Sequence, residues 1–417
     1  MSLAILGIGT ASPERRISQR HAAELAAGFA EAEPGTDRVL AAIYRQTRIR
    51  SRGSVLLDDP GTAAWAQTFF PPASIAEPGG PGTRPRMERY AAEAGPLATA
   101  AASRAVAAAG IGAADVTHLV TCSCTGFANP GFDLELVSAL GLSAGVARTH
   151  VGFMGCHGAF NALRVAEAFV AARPESVPLV VCVELCSLHF QYGSRSDVVV
   201  ANSIFADGAA ALVGGHPARR PAAWRLERQW SAVLPDSRDE MGWLIGDHGF
   251  EMSLSAAVPG TISRHLPATV AAGLAAAGLE PAGIASWAVH PGGPRVLAAV
   301  EESLALPADA LALSREVLAE HGNMSSATIL FILERMIRTE AAGPCVAMAF
   351  GPGLTAELAL LARYPSGTTP GQDRTADLRF RKPSLYPLSY GGDAGDHTSA
   401  GKGEQDFTAR RPVHGAE

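Results

Sequence analysis

Over residues 1–363, short apolar runs alternate with alanine-rich stretches, and this alternation constrains the fold more than any other feature of the chain. "LAILGIG", "HLVTCSC", "PLVVCVELC", "AAALVGG", "SWAVH" and "CVAMAF" carry apolar residues at consecutive positions, so they read as strands buried on both faces. "RYAAEAGPLATAAASRAVAAAGI", "AFNALRVAEAFVAA", "ISRHLPATVAAGLAAAGL" and "SSATILFILERMIRTEAA" read as the helices packed over them. That order predicts an α/β protein with buried sheets. A proline- and glycine-rich loop, "FPPASIAEPGGPGTRP", separates the entry region from the first long helix. A second break at "GGHPARRPAAW", residues 214–224, divides the body into two parts of similar rhythm, which hints at duplication. We therefore expect one half at 1–215 and a second at 216–365.

Residues 366–417 break the rhythm. They have almost no apolar periodicity and many Gly, Thr, Asp and Arg residues, so they are not expected to pack a core. Within them "PGQDRTADLRFRKPSLYPLSYGGD" resembles the translated complement of a transfer-RNA gene. The expectation is a disordered, non-native and functionally inert tail.

Composition excludes several classes of partner. Of 417 residues, 47% are hydrophobic, enough for a large core, and the formal net charge is −6. That mild acidity gives no reason to expect nucleic acid or an anionic membrane surface. No run reaches the roughly 18 consecutive apolar residues of a membrane span. The start, "MSLAILGIGTASPERR", lacks a basic region ahead of its apolar residues and reads as a first strand rather than a signal peptide. A cytoplasmic protein is expected, with its six cysteines (122, 124, 156, 182, 186, 345) as free thiols. Cys122 and Cys124 share a strand face, but no second pair stands at zinc-site spacing, so no metal is expected.

Chemistry enters at "VGFMGCHGAFNALRVAEAFVAA", where Cys156 follows a glycine at the apparent start of a helix. Free backbone N–H groups and the positive dipole end favour a thiolate there, although a buried structural thiol fits the same pattern. "WAVHPGGPRVL" ends an apolar strand with His290 and then turns through Pro291, Gly292 and Gly293. A histidine so placed tends to face a cleft. "HGNMSSATILFILERM" places Asn323 at the start of an amphipathic helix, where it serves either as an N-cap or as a donor to a site. In "AFGPGLTAEL" the glycines let backbone approach a ligand closely.

Cys156, His290 and Asn323, with the Gly351–Pro352–Gly353 loop, form a pattern that resembles the type III polyketide synthases, the chalcone synthase-like branch of the thiolase superfamily. The resemblance runs from about residue 1 to 363 through "VTCSCTGFANPGFDLELVSALGL", "MGCHGAFNALR", "IFADGAAALV", "HPGGP", "HGNMSSA" and "FGPGLTAE". It implies a thiolase fold, five layers in the order αβαβα built from two duplicated halves. It also implies a homodimer in which "GFANPGF" reaches toward the partner, with acyl-CoA and malonyl-CoA as substrates and no further cofactor. Cys156 matches the nucleophile that takes the acyl group, and His290 the residue that holds it as thiolate. His290 and Asn323 match the pair that binds the malonyl thioester oxygen as carbon dioxide leaves. Phe205, in "SIFADGAAAL", matches the aromatic gatekeeper between CoA tunnel and reaction cavity. Those roles are chemically apt. An enolate oxygen needs fixed donors, each typically worth roughly 10²–10³ in rate, and a carboxamide donates without a repelling negative charge.

The chain departs from the plant pattern around the pocket that the resemblance implies. Cys124 replaces a threonine and is expected to line the cavity. Cys186, Leu188 and His189 stand where plant enzymes shape the starter pocket. Met252 stands for a second gatekeeper phenylalanine, Trp243 for a glycine, and Ser325 belongs to the same lining set. Tryptophan removes the space for an aromatic starter and methionine is flexible and apolar, so an aliphatic starter and an alkylresorcinol- or alkylpyrone-type product are expected. Ala349 replaces the first glycine of the usual loop. "YRQTRIRSRG" offers Arg45, Arg48, Arg50 and Arg52 for CoA, or simply a solvated basic face. A ketoacyl carrier-protein synthase III shares Cys, His and Asn, but its histidine usually precedes Gln-Ala-Asn where His290 precedes "PGGP". A papain-like protease fails on the α/β context. An inactive acyl-CoA-binding scaffold is disfavoured by the retention of all three residues.

Overall fold

The structure is a computed structural model that describes residues 2–29, 36–58, 67–73, 79–220 and 222–364. The expected tail at 366–417 lies outside the described residues.

Nine strands form one mixed sheet, in the order Ser286–Val289, Cys345–Gly351, Thr355–Arg363, Trp224–Val233, Leu3–Ala11, Asp207–Gly215, Pro178–Leu185, His118–Ser123 and Ala147–Gly152. Moving outward from the centre, each half pairs two strands antiparallel, then antiparallel again, then parallel. The halves join edge to edge where Leu3–Ile5 pairs with Trp224–Leu226. The break at 214–224 is the link between strands ending at Gly215 and starting at Trp224. The halves are not separate bodies, since every described residue belongs to one compact unit.

Alternate residues of the buried strands face different cores. Val180 and Cys182 meet Phe160 and Leu163 of the helix Gly158–Ala172 and Ile329 and Leu333 of the helix Thr328–Arg338. Their neighbours Leu179, Val181 and Val183 meet Ala94, Ala98 and Ala101 of the helix Thr83–Ala109. In the second half Cys345, Ala347 and Ala349 face the shared inner core. Val346, Met348 and Phe350 face Ile262 and Leu266 of the helix Val258–Ala275 and Leu297 of Pro294–Ser303. The layers therefore run helix, sheet, helix, sheet, helix, as expected of a thiolase fold. Every residue of Pro178–Leu185, Asp207–Gly215 and Cys345–Gly351 is buried, which is why those runs are apolar without alternation.

Two features of this packing position the site. The two inner helices are each preceded by a single 3-10 turn, Gly155–His157 and Ser325–Ala327, so equivalent points of the two halves meet in the middle. The outer helix Thr83–Ala109 lies directly on the central strand. A Cβ on Gly9 would come within 2.3 Å of Ala101 O and Ala105 N, and one on Gly7 within 2.4 Å of Ala109 N. Alanine on the helix and glycine on the strand are what allow that approach. None of the described helices is long and apolar enough to cross a membrane.

A methyl group on Gly9 has only backbone to push against, so Gly9→Ala should lower stability by about 1–3 kcal/mol. Denaturant midpoints of the two proteins, at equal slope, measure it.

Candidate active site

Cys156 lies in the turn Gly155–His157, one 3-10 turn ahead of the helix Gly158–Ala172, so the helix-start position read from the sequence holds. The turn is held from outside by the Gly351–Gly353 loop: a Cβ on Gly155 would stand 2.7 Å from Pro352 Cδ. His290 follows the strand Ser286–Val289 and is fixed by its N–H, which donates to Met348 O at 2.8 Å. Asn323 is pinned on both sides of its backbone: its N–H donates to Ile204 O, and its C=O accepts from Ala206 N, each at 2.9 Å. Its side chain resolves the two readings left open by the sequence. Oδ1 accepts the Ser325 N–H at 2.8 Å, a local cap-like bond, which turns Nδ2 toward Cys156 Sγ at 4.0 Å. The N-cap of the following helix is Ala327 instead.

Cys156, His290 and Asn323 line one cavity of about 410 Å³. Cys156 is 7% exposed and His290 1%. Burial pushes the Cys156 thiol up to about 11; hydrogen bonds from Ser325 and Asn323 work against that push, and the Glu184 carboxylate adds to it. Burial, aided by His157, pushes His290 down to about 3. Both ring nitrogens of His290 lack a hydrogen-bond partner. The standing thiolate expected from the sequence is thus opposed by burial when the sulfur is considered alone. A proton passed from Sγ to the imidazole changes the balance, because each new charge then has its opposite in the same low-dielectric space.

Phe205 and Met252 line this cavity and two others, so they stand where three spaces meet. One of these is a small space beside the nucleophile, lined by Cys124, Cys186, Trp243, Ser325 and Pro352. The other, of about 130 Å³, runs past Cys186, His189 and Trp243 to Ala22, Ala26 and Phe29. Trp243 is anchored: its Nε1–H donates to Cys124 O at 2.7 Å, and it pairs with Met252 across the hairpin formed by Met241–Gly246 and Gly249–Leu254. His189 donates from Nε2 to Thr125 O at 2.7 Å and accepts the Phe250 N–H on Nδ1 at 2.9 Å. With both nitrogens used and burial pushing it down to about 3, it is a neutral wall.

Leu188, expected in the pocket, lines none of these spaces. The 3-10 turn Cys186–His189 sends it fully buried into the outer core, while Cys186 and His189 face the cavities. Arg45 and Arg48 are exposed beside Gln46 and Thr47, and it is those two that reach the cavity wall. Arg50 pairs with Glu320 at 3.1 Å, and buried Arg52 donates to Asn202 O and Phe205 O at 2.7 and 2.6 Å. Of the loop, Pro352 reaches the small space; Gly351 packs on the His157 ring, and Gly353, at φ +106°, reverses the chain. All six cysteines are buried and free, and among the described residues no cluster of His, Cys, Asp and Glu is arranged to hold a metal ion.

Sequence reasoning missed Glu184. Its buried carboxyl group accepts Cys124 N–H at 3.0 Å and Thr125 Oγ1 at 2.8 Å, and also the Ser326 hydroxyl. Cys124 Sγ lies 3.4 Å from it and 3.2 Å from Ser325 Oγ. The signal was present: one acid inside the otherwise apolar "PLVVCVELC". A second missed group is His157, whose Nδ1 meets Asn161 Oδ1 at 2.9 Å; Asn161 donates on to Glu357, which also takes Arg164 at 2.6 Å.

Comparison with known proteins adds to this geometry. The chain matches the family models for the N-terminal domain of chalcone and stilbene synthases over residues 2–217 and for their C-terminal domain over 225–365. It is 35% identical over 361 residues to the alpha-pyrone synthesis polyketide synthase-like Pks18 of Mycobacterium tuberculosis, covering 85% of this chain and 89% of that protein. It is also 35% identical over 373 residues to 1,3,6,8-tetrahydroxynaphthalene synthase of Streptomyces peucetius subsp. caesius, covering 86% and 92%. Among solved structures, PKS-I from the brown alga Ectocarpus siliculosus superposes with a TM-score of 0.80 at 31% identity, over 87% of this chain and 98% of that one. The C-terminal type III polyketide synthase domain of Steely1 from Dictyostelium gives 0.78 at 28% identity, over 87% and 99%.

Removing the Asn323 carboxamide takes one donor from the sulfur. Asn323→Ala should therefore raise the Cys156 pKa and slow its alkylation by iodoacetamide at pH 8 about two- to fivefold, as expected for one hydrogen bond. Intact-protein mass spectrometry against time reads the rate.

Proposed function

The chain belongs to the chalcone and stilbene synthase family and is a type III polyketide synthase; we propose that its starter is an aliphatic acyl-CoA and that it closes an alkylpyrone- or alkylresorcinol-type ring. In this reading Cys156 gives its proton to His290 and attacks the starter thioester carbonyl. The C–S bond to CoA breaks, and the departing CoA sulfur takes that proton back. Malonyl-CoA then loses carbon dioxide, and the electron pair of the broken C–C bond becomes an enolate whose oxygen is held by His290 and Asn323. The enolate carbon attacks the acyl-cysteine carbonyl, expelling the Cys156 thiolate and leaving a chain two carbons longer on CoA. Return of that chain to Cys156 repeats the cycle. CoA arrives with the substrates, and the scheme draws on no other cofactor.

The observation that carries the starter assignment is the apolar space beyond the gatekeepers. Ile17, Ala22, Leu25, Ala26 and Phe29 line it, and it shares Phe205 and Met252 with the nucleophile's cavity. A straight acyl chain fits such a space. Trp243, tied to Cys124 O, puts an indole into the wall of both side spaces, which supports a narrow straight starter over an aromatic one. We further propose a cytoplasmic homodimer. Six free thiols suit a reducing compartment, and Phe127 (45% exposed), Leu134 (42%) and Met154 (38%) leave apolar side chains around "GFANPGF" for a second copy to cover.

The test is product analysis by mass spectrometry with malonyl-CoA and a series of starters. Straight aliphatic acyl-CoA should be preferred over aromatic starters of the coumaroyl type, and Ala26→Phe should shift the preferred chain shorter while leaving short starters active. Preference for aromatic starters in the parent protein overturns the assignment.

A further inference from the structure

The cavity that holds the nucleophile is almost uncharged along its wall. Its only charged lining residues are Asp197 and Arg295. Asp197 is already engaged by Arg195 at 2.6 Å. Arg295 makes no ion pair or side-chain hydrogen bond among the described residues, and it is exposed at the rim. Its position runs against local electrostatics. It sits in the first turn of the helix Pro294–Ser303, where the backbone dipole is already positive and no acidic residue balances it.

Two more helices begin at the same rim. Ser196, of Ser196–Ile204, and Val258, of Val258–Ala275, both line the cavity with Pro294. The helix Val258–Ala275 also lacks an acid in its first turn, and the only one among the three helices is Asp197. Three positive helix ends and one free guanidinium thus converge on one opening. Deeper in the same cavity stands His290, 1% exposed, with both ring nitrogens unpartnered. Rim and interior together describe a place for a ligand that is anionic at one end and reacts at the other.

We propose that Arg295 recognises a phosphate of the CoA thioester at the cavity mouth, and so determines how tightly the enzyme takes CoA-borne substrates. The inference rests on the synthase reading above. Arg295 does not take part in the bond-making steps; its contribution is to hold the phosphorylated end of the substrate while the thioester reaches Cys156. A guanidinium suits this because it can meet two phosphate oxygens at once.

The experiment compares the parent with Arg295→Ala and Arg295→Lys on malonyl-CoA, on malonyl-pantetheine, which lacks phosphate, and on a malonyl-loaded carrier protein, which presents a single phosphodiester. With a fixed starter, Arg295→Ala should raise KM for malonyl-CoA about tenfold and leave kcat within twofold, a change of about 1.4 kcal/mol in binding. Arg295→Lys should recover most of the loss, and malonyl-pantetheine should behave alike in all three proteins. Equal losses on malonyl-CoA and malonyl-pantetheine, no loss on malonyl-CoA, or a loss confined to the carrier protein would each overturn the assignment. Calorimetric binding of free CoA gives a second reading that needs no turnover. It should weaken about tenfold in Arg295→Ala even if the synthase reading fails, and equal affinity in both proteins would sink the proposal.

Discussion

The proposed chemistry of this molecule asks one proton to pass between two buried groups. Cys156 and His290 each sit where a lone charge is costly: burial pushes the thiol up to about 11 and the imidazole down to about 3. Neither ionises readily by itself. In the proposed scheme a proton passing from one to the other leaves no uncompensated charge in the cavity that both line, and neither imidazole nitrogen is engaged among the described residues. The Asn323 amide is the third member, aimed by a bond to the Ser325 N–H.

The fold exists to bring those groups together from distant parts of the chain. Cys156 lies in the turn ahead of one inner helix and Asn323 just before the turn ahead of the other, while His290 follows a strand of the second half. The inner layer can be shared because both halves of the sheet present small apolar residues to it, such as Cys182, Ala347 and Ala349. The short parallel bridge between Phe205 and Asn323 fixes the residue at the boundary of the three spaces directly beside the amide that faces Cys156. In the proposed reading, specificity is set separately, by Trp243, Met252 and the apolar wall reaching Phe29.

Much of this was legible in the sequence. The unbroken apolar runs announced strands covered on both faces, and the break at 214–224 marked the join of the halves. Cys156, His290 and Asn323 were readable because each stands at a turn where an element starts or ends, Cys156 and Asn323 directly after a glycine and His290 before Pro291–Gly292–Gly293. Phe205, Met252, Trp243, Cys124, Cys186, His189 and Ser325 do line its spaces. Leu188 was misjudged because a 3-10 turn puts neighbours on opposite sides, which a strand-like count does not anticipate. Arg52 departs from the exposed Arg45, Arg48 and Arg50 of the same stretch because its guanidinium turns inward onto carbonyls. The ionisation state of the thiol was beyond reach, since it depends on how completely three distant segments exclude water.

The most direct measurement is the pH dependence of Cys156 alkylation, followed by intact-protein mass in the parent and in His290→Ala, with Cys156→Ala as the blank. If His290 accepts the thiol proton, the alkylation limb of the parent should lie at lower pH than that of His290→Ala, because loss of the imidazole removes the group that takes the proton. Superimposable profiles in the two proteins would show that the sulfur ionises without His290, and would contradict the pairing on which the catalytic scheme rests.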